Sequence, residues 1–477
     1  MRDLFKSKLL LLKFCQVLLT IGYRCYFIWG MQIDDKIDIY SLLDEKFSCP
    51  FCKKEHHIPI KLIFTGKDAI SRIPYLISTV VKGRRILILS DEITYRVAGN
   101  KCEEVLREDY QVTPLILYPK GTKRVYADEK YLPEILAMAK DKDAILTVGA
   151  GTITDLGKYV ADSLKIPVIC FPTAPSMNAY TSGVAALLMG KLKVTLPVQP
   201  ARAVITDITI ISQAPLDLIK AGFADSLAKA FANADWRISS LLTGEAFCLL
   251  PFKITTEAEN KYIDKGDELV QRDERVISSL MEGLNLGGIS MIIAGKSSPA
   301  SGGEHLISHF LDMYAHFKDA EIFAYHGLQV GIGVIISSLI YEKLKVLSSR
   351  EVKHLLSHRK IDYDKEMKFF GEHVPIVSKE FTKKLPVIKR LPELLPSLWD
   401  RIKREAFSLV YAPQQIIEFL SKAECPLRFD NIGVNEELAY HAITKARYIR
   451  GRFTILDIAD ELGILDEIVD KLHKGKI

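Results

Sequence analysis

The leucine-rich start of this chain lacks an apolar run long enough to cross a membrane. Between Lys13 and Arg24 the uncharged stretch Phe14 to Tyr23 is ten residues, against the roughly 20 that a spanning helix needs. Stable membrane insertion is therefore not expected. Arg2, Lys6 and Lys8 could form the basic region of a signal peptide, but no small-x-small cleavage site follows. At Met31 an ordinary polar sequence begins, MQIDDKIDIY, and translation is expected to start there, with residues 1–30 an untranslated leader. Charge of one sign is also scarce. The net charge is +5, and Arg2, Lys6, Lys8, Lys13, Arg24 and Lys36 all lie in or beside the leader. The remainder is close to neutral, so no electrostatic footprint for nucleic acid exists. The eight cysteines are scattered, which excludes a disulfide framework and suits a reducing cytoplasm.

What is present describes a globular chain of two or three domains: 477 residues, 48% hydrophobic and 26% charged. Residues 31–60 form an extension. In it Cys49 and Cys52 make a C-x-x-C, with His56 and His57 close behind. A structural zinc site usually takes a second pair from a distant segment. None is evident, so a turn with unpaired thiols is expected. From Lys61 short apolar strands (KLIFTG, RILILS, TPLILYP, AILTVG, PVICFPT) alternate with amphipathic helices. That pattern predicts an α/β domain over 61–213 built on a buried parallel sheet. KLKVTLPV and RAVITDITII read as a hairpin or two edge strands. After Pro215 the periodicity turns helical, which predicts an all-α domain over 214–477. Within it, 341–404 is rich in Lys, Glu and His and reads as a solvated insert, with His354 and His358 at its surface. Arg447, Arg450 and Arg452 lie close together, as a salt-bridged helix end or a phosphate contact.

Chemistry concentrates at strand ends and around four of the eleven histidines. Ligands in parallel sheets bind at the carboxyl ends of strands. Asp91 ends one strand, placed to accept hydrogen bonds from ribose hydroxyls. Gly149-Ala150-Gly151-Thr152 joins another strand to a helix, where glycines let a pyrophosphate approach the helix N-terminus. Thr154 stands where a third glycine would complete G-x-G-x-x-G, so a plain tight turn is the competing reading. The loop Pro172 to Gly183 offers Thr173, Ser176, Asn178, Thr181 and Ser182. In SSPASGGEHLISHF, His305 and His309 share one helix face, and His326 opens a later helical run before Gly327. His316 lies between them. In AGFADSLAKAF, Asp225 is an acid among apolar residues, costly unless it is paired or binds a metal. Asp225, His305 and His326 are thus candidates for a three-ligand metal site with an open position.

These residues carry a resemblance. Asp91 with Thr94, GAGTITD, PTAPS with Ser182, GFADSLAK with DW, SPASGGEHLISH, YHG and RFTILDIADELG together resemble the sn-glycerol-1-phosphate dehydrogenase family. That family sits in the wider group of iron-containing alcohol dehydrogenases, glycerol dehydrogenases and dehydroquinate synthases. The resemblance runs from about Lys61 to the C-terminus. It implies a dehydroquinate synthase-like fold, with a Rossmann-like nucleotide-binding domain, a helical domain and a site in the cleft between them. It assigns Asp225, His305 and His326 to a divalent metal, zinc before nickel or iron. Asp91, Gly149, Ala150, Gly151, Thr152, Ile153, Thr173, Ala174, Pro175, Ser176 and Ser182 would contact NAD or NADP. Asn178, Asp225 and His309 would contact a small phosphorylated polyol, with His309 also catalytic. A cytoplasmic homo-oligomer is implied. This chain departs from the pattern where Asn178-Ala179 replaces Asp-Gly, Ala224 replaces Gly and Ser298 replaces Arg; Asn178 cannot act as a base. Competing readings are a dehydroquinate-synthase-like cyclase, a dehydrogenase of unphosphorylated polyols and a non-catalytic relative.

Overall fold

The computed structural model describes residues 37–190 and 192–473; the leader expected at residues 1–30 lies outside them. From Ile39 onward the chain forms one compact unit. It opens with an antiparallel hairpin, β1 (Lys46–Ser48) and β2 (Glu55–His57), whose connection holds Cys49 and Cys52. The organising layer follows. β3 (Leu62–Gly66), β4 (Arg85–Asp91), β5 (Gln111–Leu117), β6 (Ala144–Gly149), β7 (Val168–Pro172) and β10 (Ala203–Asp207) form a parallel sheet in the order β3-β10-β7-β6-β4-β5. Ile86 to Ser90 and all of β6 are buried, the two-sided burial that a helix-covered parallel sheet requires. Pro114 is tolerated because β5 is an edge strand.

Helices α1 (Ala69–Ser78) and α2 (Asn100–Leu106) bury Ile73, Ile77, Cys102 and Leu106 with Ile86, Ile88, Leu146 and Phe171 of the sheet. Helix α3 (Gly151–Leu164) lies close to the sheet, and a Cβ on Gly157 would sit 2.1 Å from Thr147 Cγ2. The chain runs from β4 out to β5 and returns past β4 to β6, so the strand order reverses between β4 and β6. The carboxyl ends at such a reversal are where parallel sheets bind ligands. Leu89 pairs with Thr147 and Gly149 with Pro172, which brings Asp91, Gly149 and Pro172 to one level.

One strand expectation needs correction. RAVITD is neither a hairpin partner nor an edge: β10 sits inside the large sheet between β3 and β7. KLKVTLPV, as β9 (Leu192–Pro197), instead pairs with β8 (Val184–Met189) in a separate antiparallel sheet. A short apolar run does not encode which neighbours it will find.

From Leu216 the described elements are helical. α4 (Leu216–Thr243) has 28 residues, a rod of roughly 42 Å, and is buried on all sides from Ile219 to Trp236. It packs on α5 (Glu274–Ala294) and α7 (His326–Lys345), and α6 (Gly303–Phe317) packs on α7. α5 and α7 are long and apolar enough to cross a membrane by length and composition, but 78% and 83% of their apolar windows are buried in the protein. All-round apolarity is what interior helices show.

The segment 341–404 is not a solvated insert. Its start completes α7. Helices α8 (Val374–Thr382) and α9 (Leu391–Glu405) bury Val377, Phe381, Leu391, Leu395, Trp399 and Ile402. Trp399 Nε1 donates to the Leu347 carbonyl at 2.8 Å, and the buried Lys384 meets Asp457 at 2.8 Å. A high average charge conceals an apolar stripe when the charges lie on the opposite face. His354 and His358 are exposed, as expected.

The loop after β7 is pressed onto α4. A Cβ on Gly222 would lie 1.8 Å from the Pro175 carbonyl oxygen, so backbone would have to move. Gly222→Ala should destabilise the protein by about 1–3 kcal/mol. A denaturant midpoint equal to that of the parent chain would contradict this packing.

Candidate functional site

Asp225 stands in the middle of α4, His305 is the third residue of α6, and His326 opens α7. The three expected ligands converge. One ligand atom from each lies within 4.8 Å of the others. His305 Nε2 is 3.1 Å from Asp225 Oδ1, and the two imidazole centroids are 5.3 Å apart. The other ring nitrogens are held from outside: His305 Nδ1 by Glu304 Oε1 at 2.8 Å, His326 Nδ1 by Ser308 Oγ at 2.9 Å. Each ring therefore offers Nε2 to the centre. A carboxylate and two imidazoles oriented by outer hydrogen bonds fit a divalent ion with an open coordination position.

The electrostatics of Asp225 and His326 agree. Burial raises the pKa of Asp225, but Lys229, 3.0 Å away, and His305 outweigh it and hold the carboxyl far below the usual range. Burial depresses His326 to about 3, with Lys193 and His305 adding to it. A neutral imidazole is the form that ligates a metal. Burial also opposes charge on His305, yet its bonds to Asp225 and Glu304 raise it.

His309 follows His305 by one turn and stacks on His326, with centroids 5.3 Å apart and rings at 25°. Burial, then Lys193, pushes its pKa well down, and its buried Nδ1 has no protein partner. His309, Asp312 and His326 also lie within ligand reach of one another. The Asp312 oxygens, however, are already taken by Lys193 at 2.9 Å and Gln329 at 3.1 Å. Asn178 sits beside the triad, its Nδ2 3.4 Å from Asp225 Oδ2. His316 packs edge-on against Tyr126 instead.

At the sheet reversal, Asp91 caps the turn that follows β4. Its Oδ1 accepts from Thr94 N at 2.7 Å and Thr94 Oγ1 at 3.0 Å. Helix α3 begins at Gly151 with no side-chain cap from Ala150, which leaves the N–H groups of its first turn, Gly151 and Thr152 among them, for an anion. Thr173 N donates to the Gly149 carbonyl at 3.3 Å. The loop Thr173, Ala174, Pro175 and Ser176 is buried against α4. A Cβ on Gly151 would lie 1.9 Å from Met177 Sδ. Ile153 and Ser182 face the interior. The Ser182 hydroxyl accepts from Lys158 at 2.9 Å and donates to the Ala179 carbonyl at 3.2 Å.

Several working residues escaped the sequence reading. Lys158 is fully buried, ion-paired to Asp155 at 3.1 Å and bonded to the Ala179 carbonyl at 2.7 Å, so it holds the loop that carries Asn178. Their i, i+3 spacing in an apolar helix was the available signal. Asp235 was seen only as part of a motif. Its Oδ2 accepts from Gly303 N at 2.7 Å, and its Oδ1 from Tyr341 at 2.6 Å and from Ile455 N at 3.1 Å. One carboxyl thereby fixes the start of α6, two residues before His305, and the start of α10 (Ile455–Glu461).

The arginine cluster divides. Arg447 is the expected salt-bridged residue, fully buried on Asp457 at 3.0 Å, Asp460 at 2.6 Å and Glu461 at 2.7 Å. Arg450 and Arg452 line a cavity of about 550 Å³ together with His309, Lys296, Glu380 and Lys383. Arg450 donates to the Lys193 carbonyl at 2.5 Å, and Arg452 to Ser297 Oγ at 2.6 Å and to the Ser301 carbonyl. Neither makes an ion pair among the described residues. Burial lowers Arg452 to about 10. Cations held by neutral oxygens at a cavity wall leave their charge for an anionic ligand.

Residues 64–215 match the family model for iron-containing alcohol dehydrogenase. Among solved structures, the fold is similar to a probable glycerol dehydrogenase from Sinorhizobium meliloti 1021. The TM-score is 0.56 at 14% identity, covering 86% of this chain and 98% of that one. It is also similar to glycerol dehydrogenase from Schizosaccharomyces pombe, with TM-score 0.54, 16% identity and coverage of 87% and 91%. By architecture the chain thus has the fold of the iron-containing alcohol dehydrogenases. In sequence it is 29% identical to glycerol-1-phosphate dehydrogenase (NAD(P)+) of Bacillus licheniformis, over 91% of this chain and 97% of the relative. It is 30% identical to that of Halalkalibacterium halodurans, over 86% and 95%. The chain belongs to the glycerol-1-phosphate dehydrogenase family of oxidoreductases.

Burial and the neighbouring Glu304 carboxylate raise the Asp235 pKa to about 8. The folded state then binds a proton that the unfolded chain releases near pH 4. Its stabilisation is present below that pH and is lost as pH rises to about 8. Asp235→Asn should remove this dependence. Between pH 6 and 8 the parent should lose about 2 kcal/mol more than the variant, measured by denaturant titration; parallel curves would contradict a proton bound at Asp235.

Proposed function

We propose that the protein interconverts dihydroxyacetone phosphate and sn-glycerol-1-phosphate with NAD or NADP, using one divalent ion, zinc before nickel or iron. The observation that carries this reading is the convergence of Asp225, His305 and His326 beside a cavity whose wall holds Arg450 and Arg452, neither in an ion pair among the described residues. The curated relatives' activity on glycerol-1-phosphate supports it.

Asp225, His305 and His326 would hold the ion, which supplies Lewis-acid stabilisation of negative charge on a carbonyl or alcohol oxygen. Asn178 donates toward the same point but cannot take a proton. That role falls to His309, which is neutral, one turn from a ligand, and has a nitrogen without a protein partner. Arg450 and Arg452 would receive the substrate phosphate; Arg452 already reaches the Ser297 loop, beside Ser298. The uncapped N-terminus of α3, at Gly149 to Ile153, would take the cofactor's pyrophosphate, with the Thr173 to Ser176 loop alongside. Asp91 would take the ribose hydroxyls and so favour NAD over a 2′-phosphate. The proposed compartment is the cytoplasm. A homo-oligomer is part of the same family-based reading.

The test is cofactor oxidation, followed by absorbance, with dihydroxyacetone phosphate and either NADH or NADPH after loading with zinc, nickel or iron. Turnover is expected with at least one ion. Turnover of unphosphorylated polyols alone would move the assignment to them, and none with any pair would end it. Arg452→Ala should raise KM for dihydroxyacetone phosphate about 10–100-fold, the loss of one hydrogen bond to a charged group, with the cofactor's KM unchanged. An unaltered substrate KM would remove Arg452 from the phosphate site.

A further inference from the structure

The β1–β2 connection presents Cys49 and Cys52, and the sequence offered no obvious second pair for them. The fold supplies one further thiol. Cys248 lies between the end of α4 and the helix Leu250–Glu259. Its Sγ is 3.6 Å from Cys49 Sγ, across 199 positions of chain. His56 Nε2 is 3.1 Å from Cys52 Sγ. One ligand atom from each of Cys49, Cys52, His56 and Cys248 lies within 4.8 Å of all the others. We propose that these four residues bind a structural zinc ion, separate from the Asp225 triad.

Three thiolates and an imidazole make a closed tetrahedral donor set. With Zn–S bonds of about 2.3 Å, two sulfurs on one ion stand about 3.8 Å apart. The Cys49–Cys248 separation is close to that and far from the roughly 2.05 Å of a disulfide. The backbone is shaped for the same purpose. Lys53 adopts a left-handed conformation (φ 58°), and the turn is closed by Lys53 N to the Cys49 carbonyl at 3.0 Å and Cys49 N to the Lys54 carbonyl at 2.9 Å. A non-glycine residue held there is strained unless its surroundings fix it. Cys49 and Cys248 are buried, whereas Cys52 and His56 are half-buried and leave a way in.

Binding releases the three thiol protons and involves no redox change. The ion would tie the hairpin to the segment after α4, where Lys253 already lies over the Phe51 ring at 4.8 Å. β1 and β2 have three residues each, too short for a hairpin to stand alone. Cys248 closes the loop after α4, the helix that carries Asp225. The site would thus anchor the N-terminal extension to the ligand-bearing helix.

The proposal is independent of the catalytic reading, and its test needs no turnover. Full-length protein, purified under reducing conditions, is stripped of metal and loaded with cobalt(II). A thiolate-to-cobalt charge-transfer band is expected in the near ultraviolet, which the sulfur-free triad cannot give. By plasma mass spectrometry, one zinc equivalent should persist in a His305→Ala/His326→Ala variant and be lost when Cys49→Ser/Cys248→Ser is added to that variant. Absence of the sulfur band in the unmutated, reduced protein would overturn the proposal, as would a Cys49–Cys248 disulfide in protein isolated from cells.

Discussion

A carboxylate buried in the middle of an apolar helix is the constraint around which this molecule is arranged. Asp225 has apolar or small neighbours along α4 and cannot be left unpaired there. Lys229 meets it from the next turn, His305 from α6 and Asn178 from the loop after β7. Each partner must be delivered by a different element, so the site exists only when the helices and the loop are seated together. Asp235, ten residues further along the same helix, performs that seating. It fixes the first N–H groups of α6 and α10, and through α6 the position of His305.

The sheet contributes the other half by its topology. The reversal between β4 and β6 brings the strand ends at Asp91 and Gly149 to one level, where parallel sheets take ligands. The chain leaving β7 must then cross from that level to α4. It does so at contact distances that permit no side chain: Gly151 against Met177, Gly222 against the Pro175 carbonyl and Gly288 against Thr181 Oγ1. The buried Lys158 holds the far end of the same loop through the Ala179 and Val184 carbonyls. The strand ends proposed for the cofactor and the triad are therefore two ends of one packed segment, which suits a reaction that brings a dinucleotide and a substrate together.

Much of this was legible in the sequence, for physical reasons. Two-sided burial writes continuous apolar strands, so β3 to β7 could be read locally. A buried acid and an i, i+4 histidine pair stand out because apolar helices rarely tolerate them. Most of the missing parts are non-local. Whether RAVITD lies inside or at the edge of the sheet depends on β3, some 140 residues earlier in the chain. The apolar stripe of 374–405 was hidden by its charged outer face. Cys248 is a single thiol in a loop, with nothing nearby to link it to Cys49. Arg447 and Arg452 belong to one short run, yet one is ion-paired to three acids and the other to none among the described residues, a difference only the fold creates.

The central claim is that one ion is held by Asp225, His305 and His326. Anomalous diffraction at the edge of the loaded metal, on crystals of the active protein, tests it most directly. The account predicts a peak about 2.0–2.2 Å from one Asp225 oxygen and from Nε2 of both histidines. A peak on His309 and Asp312 instead, or an active protein with no ion at the triad, would contradict it.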